Sequence, residues 1–284
     1  MQFPQPSVNF ITMEHRTPHR TLPSLPLFTA LTALLCLHAP RLFAQPSSAA
    51  VTAFNLYTQS IESRLALQHR SPTGFLSVSS DPKALTRLRG GEFILEKLTP
   101  TNAEPAGALL HHWRGTAFAP GATAADFEHL LTDFNAYPKN FSPEVLQAKL
   151  VSQQAGHTFA SMRVRQQHVI TVVMDSTYDI TFGQLDARHG YSISQSTRIS
   201  ELDPKTNRTL SAAEEHGFLW RLNTYWSYEE RDGGLYLQIE SVSLTRAIPT
   251  GLGWAIGPFI ESIPRESLEF TLRSAINAIQ KGPR

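Results

Sequence analysis

One predicted strand alternates apolar and hydroxyl-bearing side chains in a way that suits binding of an organic molecule. In the stretch 168–182, Met174, Ser176, Tyr178 and Phe182 share one face, because every second side chain of a strand points the same way. Ligand pockets are mostly apolar with a few placed polar groups, and Ser176 and Tyr178 are candidates for those groups. The alternative is ordinary core packing, with the tyrosine hydroxyl satisfied by a neighbour.

A second predicted strand, within 209–229, carries a row of aromatic residues. Its expected inward face consists of Phe218, Trp220, Leu222, Thr224, Trp226 and Tyr228. The rings of Trp220, Trp226 and Tyr228 can stack on a flat or lipidic ligand. Packing in a plain core would use the same rings without any ligand.

Charged candidates lie on the next predicted strand, 234–246. Its apolar residues change face near Glu240, which predicts a β-bulge at that point. With a bulge, Glu240 or Arg246 would reach the mouth of a cavity, where Arg246 could hold a carboxylate or phosphate by a forked hydrogen bond. A surface salt bridge is the alternative role for Arg246.

The segment 247–260 (AIPTGLGWAIGPFI) is apolar and interrupted by glycines. Trp254 and Phe259 are its large aromatic residues. Glycine hinges beside exposed apolar groups are typical of a lid, or of a loop that touches a membrane transiently. The alternative is a packed corner before the last helix.

Sequence signatures of other chemistries are missing. His111 and His112 are adjacent on a predicted strand and therefore point to opposite faces, which disfavours a shared metal. The sequence contains no H-E-x-x-H, G-x-S-x-G, G-x-G-x-x-G or P-loop motif, so neither a cofactor nor a metal is expected. An enzyme built on this cavity would need Tyr178, Glu240 or a histidine as general acid or base.

The N-terminal segment has the parts of a secretory signal. A basic start is followed by the uncharged apolar run 25–39 and then by small residues. The run is shorter than the roughly 20 residues of a membrane span. We expect cleavage after Ala44 or after Ala50, with Met1 or Met13 as the start, and export to the periplasm or the medium.

The charge balance excludes broad classes of partner. The chain has 25 basic and 24 acidic residues, a net charge of +1, and residues 1–44 hold three of the arginines and one glutamate. The exported chain is therefore nearly neutral, and nucleic acid is not an expected partner. The single cysteine, Cys36, would leave with the signal, so no disulfide is expected.

The predicted elements run from short helices through strands to one long helix. Helices are predicted at 51–70, from Asp81, from Thr123 and over 264–281, and strands at 93–98, 108–118, 144–153, 158–167, 168–182, 190–200, 209–229 and 234–246. This order predicts an α+β fold in which a curved antiparallel sheet wraps around the C-terminal helix. A cavity can remain between the two.

Several stretches resemble the START-like, or SRPBCC, superfamily, which includes polyketide cyclases, lipid-transfer domains and coenzyme Q-binding proteins. The similar stretches are 88–92 (LRGGE), 113–120 (WRGTAFAP), 131–134 (LTDF), 137–145 (YPKNFSPEV) and the closing segment 249–279. The resemblance covers residues 90–281 and implies the helix-grip fold with a hydrophobic ligand cavity.

The domain and function predictions follow from these observations. We expect a removable signal at 1–44, an N-terminal helical extension at 45–89 and a START-like domain at 90–284. The expected function is an exported carrier of a hydrophobic small molecule or lipid. One alternative is a cyclase- or hydrolase-like enzyme using the same cavity. The other is an envelope interaction module in which residues 45–89 dock a partner.

Overall fold

The structure is a computed structural model that describes residues 45–101, 105, 107–167, 171–247 and 253–281, with side chains described from residue 262 onward in the last range. The expected signal at 1–44 lies outside the described residues. None of the described helices contains an uncharged apolar stretch of the length that a membrane span requires.

Eight antiparallel strands form a single sheet in the order β1-β2-β8-β7-β6-β5-β4-β3. The strands are β1 (Ile94–Lys97), β2 (Ala108–Pro120), β3 (Val145–Gln154), β4 (His157–Gln167), β5 (Thr171–Asp186), β6 (His189–Leu202), β7 (Arg221–Arg231) and β8 (Gly234–Arg246). The expected run of antiparallel strands is confirmed. The main difference is β7, which begins at Arg221, whereas the sequence predicted a strand from 209.

The described part of the chain contains five α-helices. They are α1 (Ser48–Gln68), α2 (Pro82–Arg89), α3 (Ala124–Thr132), α4 (Tyr137–Asn140) and α5 (Gly253–Lys281), with 3-10 turns at Pro72–Gly74 and Phe134–Ala136. Thr123 and Asp126 form the expected capping box at the start of α3, which satisfies free N–H groups of its first turn.

The last helix is longer than its sequence predicted. It begins at Gly253 and not at Pro264, so the second half of the expected lid, 247–260, is helical. Residues 248–252 and the side chains of 253–261 lie outside the described residues. Pro264 sits within the helix, where its ring nitrogen cannot donate the usual hydrogen bond.

Helices α3 and α5 pack on the inner face of the sheet and form its main core. Leu268, Leu272 and Ile276 of α5 meet Leu237 and Ile239 of β8 in this core. A Cβ atom on Gly115 would lie 2.6 Å from Leu272 Cδ1 and 3.1 Å from Leu268 Cδ2. The glycine therefore permits α5 to approach β2 closely.

The N-terminal helices cover part of the outer face. Phe54 and Leu65 of α1 pack in one buried cluster with Val242 and Leu244 of β8. A second cluster brings the segment 75–88 against Phe118 and Tyr236. Strand β8 is therefore buried on both faces, and this explains its apolar residues of both parities.

The predicted bulge at Glu240 is absent. Strand β8 pairs with β2 and β7 in continuous register from Gly234 to Arg246. The change of apolar face that suggested a bulge reflects burial of both faces.

A buried charged cluster fastens α1 to the sheet. Glu240 is 0% exposed and forms ion pairs with Arg64 of α1 and with Arg114 Nε at 3.0 Å. His112 Nε2 lies 3.0 Å from the same carboxylate, and its Nδ1 lies 2.8 Å from the Tyr57 hydroxyl. Burial by itself would raise the pKa of Glu240, but the hydrogen bond to His112 and the two arginines outweigh it and lower the pKa to about 2.

Further buried polar contacts extend this attachment along the outer face. His69 Nε2 lies 2.8 Å from the Ser227 hydroxyl, and Ser79 Oγ donates to Glu229 at 2.9 Å. These contacts satisfy polar groups that would otherwise be buried without partners. The expected extension, residues 45–89, thus belongs to the same compact unit as the sheet.

Two residues of α1 test this packing. Phe54 is 2% exposed and Leu56 is 63% exposed. We expect Phe54→Ala to lower the free energy of unfolding by about 3–5 kcal/mol, because it leaves a cavity in the buried cluster. Leu56→Ala is the matched control and should change it little. Urea unfolding measures both, and equal effects would show that α1 does not pack on the sheet.

The second prediction concerns the contribution of the charged cluster to stability. Glu240→Gln removes the buried counter-ion of Arg64 and leaves Arg114 with its 3.5 Å pair to the more exposed Glu96, so the free energy of unfolding at neutral pH should fall by about 3 kcal/mol. Because the folded pKa of Glu240 lies below its usual value of 4.5, its stabilising effect is present above 4.5 and is lost as pH falls toward 2.

The control for this prediction is Glu214→Gln. Glu214 forms a solvent-exposed pair with Arg208, and its replacement should have little effect on stability. Denaturation at several pH values compares the two variants. Equal stability loss in both variants would contradict a buried role for Glu240.

Candidate functional site

A cavity of about 280 Å³ lies between the inner face of the sheet and helices α3, α4 and α5. Its helical wall is aromatic and aliphatic, with Phe127, Leu130, Leu131, Phe134, Tyr137 and Phe141. The facing strands add Met162, Val164, Met174, Tyr178, Ile180 and Trp226. The volume is near the lower end of the range for small-molecule pockets, roughly 300–1,000 Å³.

Four of the predicted site residues line this cavity. Met174, Tyr178 and Phe182 reach it from β5, and Trp226 reaches it from β7. Burial raises the pKa of the Tyr178 hydroxyl, which therefore remains protonated and able to donate a hydrogen bond at neutral pH. The role of these residues in ligand binding stays a prediction.

Two further candidates lie close by but are not part of the lining. Ser176 is buried on β5 between Met174 and Tyr178. Tyr228 lies beneath α3, where its hydroxyl donates to Glu128 Oε1 at 2.8 Å and its ring contacts Phe127 edge-on. Tyr228 thus belongs to the core that anchors α3.

Three candidates are on the outer side of the sheet, and their predicted placement in the cavity is wrong. Trp220 precedes β7, so the alternation of side chains along that strand does not determine its orientation. It packs in the buried cluster of α1. Glu240 lies in the charged cluster under α1, because β8 has no bulge to turn it inward. Arg246 has the parity of the outward Leu244, and its Nη1 donates to the His216 carbonyl at 3.2 Å.

The lid candidates cannot be placed in the same way. Trp254 and Phe259 fall in the first half of α5, and their side chains lie outside the described residues. Their contribution to the cavity stays a prediction.

Glu144 is a cavity residue that the sequence analysis did not identify. Its carboxyl group lines the cavity just before β3, and burial raises its pKa to about 7. No ion pair to Glu144 occurs among the described residues. The sequence assigned it to the start of a strand, and only the closure of α4 and α5 over that edge shows that it faces a cavity.

Gln166 and a set of small hydroxyl-bearing residues form the other polar part of the lining. The hydroxyl-bearing residues are Ser192, Ser194, Thr224, Ser241, Ser243, Thr245, Ser267 and Thr271. Strand alternation could have identified those of β8, because Ser241, Ser243 and Thr245 share the parity of the inward-facing Ile239. The arrangement can enclose an apolar molecule and offer it hydrogen bonds, and Glu144 is suited to exchange a proton near neutral pH.

No family model matches the chain, and no curated protein matches it. Solved structures of similar architecture include a STAR-related lipid transfer protein from Xanthomonas axonopodis, with 15% identity over 66% of this chain and 98% of that chain and a TM-score of 0.44. Human STARD10 has 10% identity over 72% of this chain and 80% of that chain, with a TM-score of 0.43. The Zhui aromatase/cyclase from Streptomyces sp. R1128 has 12% identity over 62% of this chain and 97% of that chain, with a TM-score of 0.42.

At such identities and TM-scores the likeness carries no argument about this chain. The chain's own topology is what defines its fold, since one curved antiparallel sheet of eight strands holds a long C-terminal helix against its inner face. The described residues thus have the helix-grip arrangement that the sequence predicted, with a curved antiparallel sheet wrapped around the C-terminal helix.

Proposed function

We propose that this protein is a carrier that binds a hydrophobic small molecule or lipid between its sheet and α5. The apolar cavity is the observation that carries the proposal, because aromatic and aliphatic side chains from three helices and five strands converge on it. Transfer of apolar ligand surface from water into such a cavity is favourable by about 25 cal/mol per Å², before the entropic costs of association.

The proposed carrier works outside the cytoplasm. The apolar run 25–39 and the small residues after it support export to the periplasm or the medium. We also propose that the segment 247–260 makes transient membrane contact during ligand exchange, since its sequence is apolar and glycine-rich.

Native mass spectrometry of the purified protein, followed by organic extraction, tests the carrier function. The expected result is a mass increment that disappears after extraction, and an apolar compound in the extract. A protein that carries no ligand and binds no apolar compound would contradict the proposal.

A second function deserves a test because of Glu144. Its pKa of about 7 is suited to a general acid or base, as a cyclase- or hydrolase-like enzyme would need. If the protein is such an enzyme, Glu144→Gln should abolish turnover while ligand binding is retained. The interaction-module alternative has no comparable support, since the apolar side of α1 is already packed on the sheet.

A cavity-filling variant should block ligand binding. Ser194 lines the cavity from β6, whereas Ser161 on β4 has the opposite parity to the cavity residues Met162 and Val164. We expect Ser194→Phe to lower the affinity for an apolar fluorescent dye at least about tenfold, because the ring occupies ligand space. Ser161→Phe is the control and should bind normally. Normal binding by a folded Ser194→Phe protein would place the ligand site elsewhere.

Ligand binding should depend on pH through Glu144. A ligand that covers this carboxyl group removes more water from it and so favours its protonated form. Affinity for naphthalene should therefore fall as pH rises through about 7, where Glu144 ionises. The pH dependence should vanish in Glu144→Gln, as measured by tryptophan-fluorescence titration. A variant that keeps the dependence would assign it to another group.

A further inference from the structure

Three hydroxyl groups form a row across the floor of the cavity. Ser194 of β6 pairs directly with Thr224 of β7, and Thr224 pairs directly with Ser241 of β8. All three side chains line the cavity. Neighbouring strands lie about 4.8 Å apart, so the row spans roughly 10 Å perpendicular to the strands.

The hydroxyl row is available to a ligand. Among the described residues, no side-chain hydrogen bond involves Ser194, Thr224 or Ser241, and their main-chain groups are used by the sheet. Each hydroxyl can donate one hydrogen bond and accept two. Because a buried hydroxyl without a partner is costly, a ligand that displaces water from the row should bring polar groups of its own.

The charges around the cavity disfavour an anionic ligand. Glu144 is the one charged side chain among the described lining residues, and it is an acid. His111 Nε2 contacts Thr245 Oγ1 at 3.2 Å but does not itself line the cavity. Arg246 lies on the outer side. A carboxylate buried here would find no described counter-ion, which makes its desolvation costly.

We propose that the cavity selects an uncharged, oxygen-bearing hydrophobic molecule, whose polar groups lie on the row Ser194–Thr224–Ser241, and that it discriminates against carboxylates such as free fatty acids. This inference rests on the proposed carrier function and specifies its ligand class. The row supplies hydrogen bonds to hydroxyl or carbonyl oxygens, and the helical wall packs on the apolar remainder of the ligand.

Three probes of equal ring size test this selectivity: naphthalene, dihydroxynaphthalene and naphthoate. Trp226 lines the cavity, so tryptophan-fluorescence titration of the full chain reports binding. Dihydroxynaphthalene should bind about tenfold more tightly than naphthalene, which corresponds to one or two net hydrogen bonds. Naphthoate should bind most weakly.

A variant that lacks the three hydroxyls of the row tests whether they cause the preference for dihydroxynaphthalene over naphthalene. Ser194→Ala, Thr224→Val and Ser241→Ala together should remove the preference for dihydroxynaphthalene and preserve the affinity for naphthalene. The matched control removes three hydroxyls outside the lining, with Ser152→Ala, Ser161→Ala and Thr181→Val, and should keep the wild-type preference.

The possible failures are distinguishable. If naphthoate binds as tightly as dihydroxynaphthalene, or if the two neutral probes bind equally to the wild type, the ligand class is wrong while the carrier function stands. If the row variant keeps the preference, the row is not the polar subsite. If none of the probes binds, the carrier function fails, and this inference fails with it.

Discussion

The burial of β8 on both faces is the constraint on which the rest of the structure depends. Its inward residues Leu237 and Ile239 meet α5, while its outward residues Val242 and Leu244 meet α1. A charged side chain that is buried on the outer face of such a strand needs a partner. Glu240 is paired with Arg64, Arg114 and His112, so a strand that is buried on both faces holds a carboxylate with three partners.

The two faces of the sheet have different tasks. The outer face under α1 and α2 is closed by apolar clusters and by the ion pairs of Glu240. The inner face can therefore leave space unfilled, with small side chains such as Ser194 and Ser241 where a core would place large ones. The stability lost by the cavity is offset by the second layer on the opposite side.

Much of the fold was predictable because strand alternation and helix caps are local signals. The alternation through Met174, Tyr178 and Phe182 placed those residues correctly on one face, and Thr123 located the start of α3. The errors at Trp220, Glu240 and Arg246 share a physical cause. Alternation gives the relative orientation of neighbouring residues within a strand. The residue at which a strand begins, and the elements that cover its second face, depend on the tertiary structure. Glu144 was missed for the same reason, since its burial depends on helices distant in sequence.

The pairing of α1 with β8 also determines the order in which the chain can fold. Arg64 and Glu240 are 176 residues apart. Synthesis proceeds from the N-terminus, so α1 is made early. The surface on which it packs does not exist until β8 has been made and has joined the sheet. Contacts of such sequence separation form late, because a long loop must close first. The apolar side of α1 therefore remains exposed until most of the chain has been synthesised. A chaperone that binds unfolded chains would bind this exposed side.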